Sequence, residues 1–261
     1  MKRYFFIIVA FLLFLYPVLS HGDEIDIHQE LYNLQLNFIY IGGLIIVGIT
    51  LVSIYFEKKL KKYKIYLFLG IVISTVIVTI FLASSTIYLN VLSETKGPVH
   101  WHADFQIWNC GQKVDIVDPK GFANRVGTSV FHEHGDNRIH IEGVVVDKKE
   151  VNLDRFFHVL GGEMHSDRFV LPTEEGLLTI NNGGLCKEEP GEIQAFVYRT
   201  KNNKYYQEKI TNLEEYTPSP YQNVPPGDCI IIEFDSEIKE RTENICETYK
   251  IAIERGDIIG S

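Results

Sequence analysis

Two uncharged apolar runs, residues 38–56 and 65–92, constrain this 261-residue chain more than any other feature. As a helix the first run, FIYIGGLIIVGITLVSIYF, is about one bilayer long, and the second is longer and would tilt or project beyond the hydrocarbon. Between them, residues 57–64 read EKKLKKYK, with Lys58, Lys59, Lys61, Lys62 and Lys64. The positive-inside rule assigns this loop to the cytoplasm and both flanks to the outside. Neither run holds a carboxylate, lysine or histidine, which argues against a transport path and for an anchor. Gly42, Gly43 and Gly48 would let the helices pack closely.

Residues 1–20 have the three-part plan of a signal peptide. Lys2 and Arg3 precede an apolar YFFIIVAFLLFLY, Pro17 breaks it, and Val18 and Ser20 suit the −3 and −1 positions of a cleavage site. An uncleaved third transmembrane helix is the alternative. Residues 21–37 are then a short extracytoplasmic segment. Its first residue, His21, would offer an amine and an imidazole to copper with His28 nearby, or would simply begin a polar linker. The expected layout therefore runs from signal peptide through two membrane helices to an extracytoplasmic domain, residues 97–261.

The net charge of −9 excludes the electrostatic footprint of a nucleic-acid binder. All four cysteines, Cys110, Cys186, Cys229 and Cys246, fall in the domain assigned to the oxidising side, so two disulfides are expected. Three pairings are open, and Cys229–Cys246 would close the shortest loop.

Five of the nine histidines fall within residues 99–146: His100, His102, His132, His134 and His140. Asp104, Glu133, Asp136 and Glu142 are interleaved with them. From residue 99 the pattern alternates, with Trp101, Ala103, Phe105 and Ile107 on one face and His100, His102, Asp104 and Gln106 on the other. That is a half-buried strand. NCGQ at 109–112 reads as a hairpin turn. His132 and His134 share the face of a second short strand. Ile139, Ile141 and Val145 alternate with Arg138, His140 and Glu142 on a third. All five histidines thus fall on the side away from the apolar set.

Asn152 or Asp154 can cap a helix over 153–160, whose buried stripe is Leu153, Phe156, Phe157 and Leu160 and whose end is Gly161-Gly162. His158 reads as a surface partner of Asp154, and His165 as a weak candidate ligand. Strands are predicted over 168–171, 177–180, 192–200, 205–210 and 228–235, and a charged helix over 239–255. The fold class is α+β, predominantly antiparallel β with one packed helix; a β-sandwich is the alternative. There is no G-x-S-x-G elbow, Walker loop or dinucleotide fingerprint.

Side chains two residues apart on a strand can grip one ion together. H-x-H at 100/102 and 132/134 and H-x-E at 140/142 give three such pairs, with Asp104 a further carboxylate ligand. Imidazole with carboxylate suits Cu(II) or Zn(II), and with only two methionines a thioether Cu(I) site is excluded. The paired H-x-H is similar to the cupin signature, in which the glutamate follows the second histidine more closely than Glu142 follows His134. Glu133 and Asp136 are the catalytic candidates if the domain is an enzyme, or else orient the imidazoles.

The series HWHADFQIWNCG, HEHGDNRIHIEGVVV and LDRFFHVLGG resembles an uncharacterised family of exported or membrane-anchored archaeal and bacterial domains. Its pattern is H-x-H-x-D-F, a short hairpin, H-x-H-D, I-H-x-E and L-x-x-F-F before a glycine. The resemblance covers about a third of the chain, and Gly135 is inserted ahead of Asp136. It implies the unity of the domain and its location rather than a reaction.

The first functional expectation is a membrane-anchored module binding about one Cu(II) or Zn(II) ion for sequestration, sensing or handover. The others are a metal-dependent hydrolytic or oxidative enzyme on the same ligands, and an interaction domain whose contact surface is the Tyr-rich stretch 198–221.

Overall fold

The computed structural model describes residues 27–260 except 121, 123, 220–224 and 226. The expected signal peptide, residues 1–20, and His21 lie outside the described residues. Two units divide the chain at Ser85 and Thr86.

The first unit is built on α1 (Ile27–Tyr55) and the part of α2 (Lys64–Leu92) up to Ser85, joined by a single helical turn over Glu57–Leu60 and a 3-10 turn over Lys61–Tyr63 that carry four of the five lysines. Glu30–Tyr55 and Glu57–Leu92 are long and apolar enough to cross a membrane. Thr50, Ser53, Ser74, Thr75 and Thr79 each donate to the carbonyl four residues back, so these five hydroxyls are satisfied within the helix. The helices pair through stacked Phe38 and Phe81 rings, 3.9 Å between centroids, and a 2.7 Å hydrogen bond from Gln35 Nε2 to Ser85 Oγ. A Cβ on Gly42 would lie 2.6 Å from Val78 Cγ2, so glycine permits the close approach there. Gly43 and Gly48 face nothing within 4 Å and play no such part.

The second unit carries fourteen strands among the described residues. In chain order they are β1 (Pro98–Asn109), β2 (Gln112–Val114), β3 (Val126–Gly127), β4 (Phe131–Glu133), β5 (Arg138–Val144), β6 (Glu163–Met164) and β7 (Arg168–Thr173). Then come β8 (Gly176–Asn181), β9 (Leu185–Cys186), β10 (Glu189–Pro190), β11 (Glu192–Lys201), β12 (Lys204–Ile210), β13 (Cys229–Asp235) and β14 (Ile259–Gly260). The large sheet has the order β14-β12-β11-β13-β1-β5-β4-β3, with β2 folded back on the end of β1. Cys110 and Gly111, both at positive φ, make the two-residue turn of that hairpin. Strands β6-β7-β8 and β9-β10 form two small sheets. The unit is α+β and rich in antiparallel pairs, but the seam between β1 and β13 at the middle of the large sheet is parallel.

One sheet face carries the main core. Ala103, Phe105 and Ile107 of β1 meet Ile139 and Ile141 of β5, Phe131 of β4, and α3 (Leu153–Val159). Asn152 caps this helix, its side chain accepting from Arg155 N at 2.8 Å, and Gly161 at φ 89° ends it. Phe156 and Phe157 lie edge-on to Phe105 at 5.5 and 6.1 Å. Strand β13 is buried on both sides, with Ile230 and Ile232 in the main core and Ile231 in a second cluster on the opposite face.

That second cluster is roofed by α4 (Glu247–Glu254), whose Tyr249 and Ala252 pack on Phe196, Tyr198 and Ile231. The helix begins later than the sequence suggests. Residues 239–244 are held as an extended strap instead: Lys239 Nζ reaches Glu233 and Asp235 at 2.9 and 2.8 Å, and the Thr242 carbonyl accepts from Tyr198 and Gln207. Disulfides join Cys110 to Cys186 and Cys229 to Cys246. The second fastens Cys246, the N-cap of α4, to β13.

Candidate metal centre

The register of three strands assembles the site. β5 lies between β1 and β4, placing His102 opposite His140 and His140 opposite His132. These three imidazoles form a row across the sheet. One step along, His100 faces Glu142, and one step the other way Asp104 faces Arg138. His134 follows His132 by two residues and returns to the same face. Alternation alone put these side chains on one side of each strand; pairing brings the strands' contributions together.

The side chains form two sets. His100, His102, His140 and Glu142 offer ligand atoms all within 4.8 Å of one another, as do His132, His134 and His140. Within the first, His100 Nε2 is 2.9 Å from His102 Nε2 and 3.1 Å from Glu142 Oε1. Within the second, His132 Nε2 is 3.1 Å from His134 Nε2. Two nitrogens bound tetrahedrally at ~2.05 Å from one ion would sit ~3.3 Å apart, so each pair already has nearly the spacing of a chelate.

Second-layer contacts fix how the rings present their lone pairs. Asp136 Oδ2 lies 3.2 Å from His140 Nε2 and accepts its proton, leaving Nδ1 bare and 4.0 Å from Glu142 Oε1. The Asn124 carbonyl accepts from His134 Nδ1–H, which leaves Nε2 to face His132. His140 Nδ1 and His132 Nδ1 are both buried without a hydrogen-bond partner.

Burial runs in a gradient across the row. The His100 side chain is 63% exposed, whereas His132 and His140 are almost fully buried. The face away from the main core is therefore not uniformly open, because rings in adjacent rows shield one another. Desolvation, reinforced by neighbouring His140 and His100, holds His102 down to about 4. Burial likewise lowers His132 to about 4, against the pull of Glu142, and lowers His140 against the pull of Asp136. These imidazoles are neutral at physiological pH, the form that binds a metal.

The other candidates sit elsewhere. Asp104 shares the outward face, but Arg138 Nε donates to it at 2.6 Å and the Thr248 hydroxyl donates from α4. It ties the start of α4 to the sheet beside the cluster. Glu133 points to the core side, beside Phe131; its Oε1 accepts from the backbone of Asp136 and Asn137 at 2.6 and 2.9 Å, holding the turn between β4 and β5. Burial raises its pKa despite those bonds. His158 and His165 are exposed and outside both sets. Of the Tyr-rich stretch, Tyr198 is buried against Tyr249, while Tyr216 donates to Asp228 at 2.5 Å and accepts from Arg199 at 2.9 Å. Those two rings are spent inside the fold.

Two supports had no usable signal in the sequence. Asn124 acts through its carbonyl, which any residue possesses. Gly227, at φ +79°, packs so closely that a Cβ there would come within 1.6 Å of the His102 carbonyl oxygen. Compared with protein-family models, curated proteins and solved structures, the chain finds no match in any of the three.

Proposed function

We propose that the domain captures a divalent transition metal, Cu(II) or Zn(II), at the extracytoplasmic face of the cell membrane and holds it for handover or sequestration. The observation that carries this reading is the convergence of imidazoles at chelate spacing, with one nitrogen of His140 committed to Asp136 and one of His134 to the Asn124 carbonyl. Imidazole with carboxylate selects Cu(II) and Zn(II) over hard cations. The exposed His100 and the half-buried Glu142 give an ion or a carrier protein an entrance, and buried His132 and His140 give it a reason to stay.

Location follows from the anchor. The lysine-rich turn between α1 and α2 belongs in the cytoplasm by the positive-inside rule, which puts the histidine domain outside. Two disulfides in that domain suit the oxidising side.

Full-length protein purified in detergent should retain Zn(II) or Cu(II) through gel filtration and show a heat of binding by calorimetry. A His102→Ala/His140→Ala variant, with its circular dichroism unchanged, should retain none. Native protein that gives no heat and keeps no metal would overturn the reading.

A further inference from the structure

Resting on the metal-binding reading, we infer that the cluster holds two ions, one per H-x-H pair, with the Glu142 carboxylate bridging them. The two pairs stand on β1 and β4, which are not neighbours; with β5 between them their backbones are ~10 Å apart. Each pair turns its Nε2 atoms on itself, at 2.9 and 3.1 Å, rather than pooling all four. The two sets of mutually close ligand atoms share His140 alone.

The strand between supplies what lies between. Glu142 turns one oxygen to each side: Oε1 is 3.1 Å from His100 Nε2, and Oε2 is 3.9 Å from His132 Nε2. A carboxylate serving a single ion has no need to turn one oxygen to His100 and the other to His132. Paired metal ions commonly sit ~3.5–4 Å apart, where their repulsion is large, and an anionic bridge is what offsets it. His140 completes the first shell through its buried, unpartnered Nδ1, directed there because Asp136 accepts from Nε2–H. The first ion then has His100, His102, His140 and Glu142 Oε1. The second has His132, His134 and Glu142 Oε2, leaving a coordination position for solvent or a small anion shared with its neighbour.

Metal analysis of the full-length, detergent-solubilised protein after Zn(II) loading and gel filtration should give two ions per chain. One ion per chain would overturn the two-ion inference and leave the metal-binding reading standing; none would overturn both. Loaded with Cu(II), the protein should give an electron paramagnetic resonance signal that integrates far below its copper content, because adjacent ions couple. A full-intensity spectrum of isolated Cu(II) overturns the bridge. His100→Gln and His134→Gln should each keep one Zn(II). Loss of both ions from either variant, with unchanged circular dichroism, would mean one shared site and overturn the inference, as would retention of both. Should either variant fail to fold, the zinc count and copper spectrum of the native chain decide alone.

Discussion

His102, His132 and His140 are neutral because they are desolvated, and this sets a pH dependence. In the unfolded chain they titrate near 6.5; in the fold His102 and His132 titrate at about 4. Between those values the unfolded state binds more protons, so these groups make metal-free protein less stable as pH falls from 6.5 to 4, and add no further slope below. Urea unfolding should show this as a decline that is smaller in a His102→Asn/His132→Asn variant. An equal decline in both would contradict the assignment. Glu133 gives a second residue-level test. Glu133→Ala strips the acceptor from two turn amides and should cost about 1–3 kcal/mol in chemical denaturation, while Glu133→Gln, which keeps a carbonyl oxygen there, should cost much less. Gly227→Ala should cost roughly 2–4 kcal/mol, from a positive φ and a collision with the His102 carbonyl. The alternation in HWHADFQI was enough to put His100 and His102 on one face. It could not show that Asp104 would be taken by Arg138 and Thr248, because Thr248 lies 144 residues away and nothing local records the contact.

At the scale of elements, local chemistry was legible and long-range partnership was not. The Asn152 cap, the Leu153/Phe156/Phe157 stripe and Gly161 together specify α3, and the fold has it nearly as the spacing predicts. NCGQ likewise specifies its hairpin. The parallel seam escaped because a period of two says that a strand has a buried face and says nothing of its neighbour. The helix expected over 239–255 is shortened by polar contacts of Lys239 and Thr242 to preceding strands, among them Lys239 to Glu233 six residues back, Thr242 to Glu233 nine back and the Thr242 carbonyl to Tyr198. In the first unit, Gly42, Gly43 and Gly48 looked equivalent, and of these three only Gly42 is at a helix contact. Gly42→Leu should therefore weaken pairing of α1 and α2, read as lost thermal stability of that unit in detergent, while Gly48→Leu should leave it unchanged.

For the whole molecule, the two disulfides tie together parts of the second unit that are distant in sequence. In the loop-closure picture, losing Cys229–Cys246, with its separation of 17, should cost about 3 kcal/mol and losing Cys110–Cys186, separated by 76, about 4.5 kcal/mol. Denaturation of the Cys→Ser pairs would check that order. The seam between β1 and β13 carries a further consequence, for timing. β1 is the first strand in sequence among the described residues, yet one of its neighbours comes some 120 residues later, and the Cys229–Cys246 bond later still. Contacts so distant in sequence make for slow folding. During that interval residues 104–109 of β1 form an unpaired sheet edge on the side that β13 will take. The arrival of residues 229–235 therefore governs how long that edge stays open to wrong pairing with another chain.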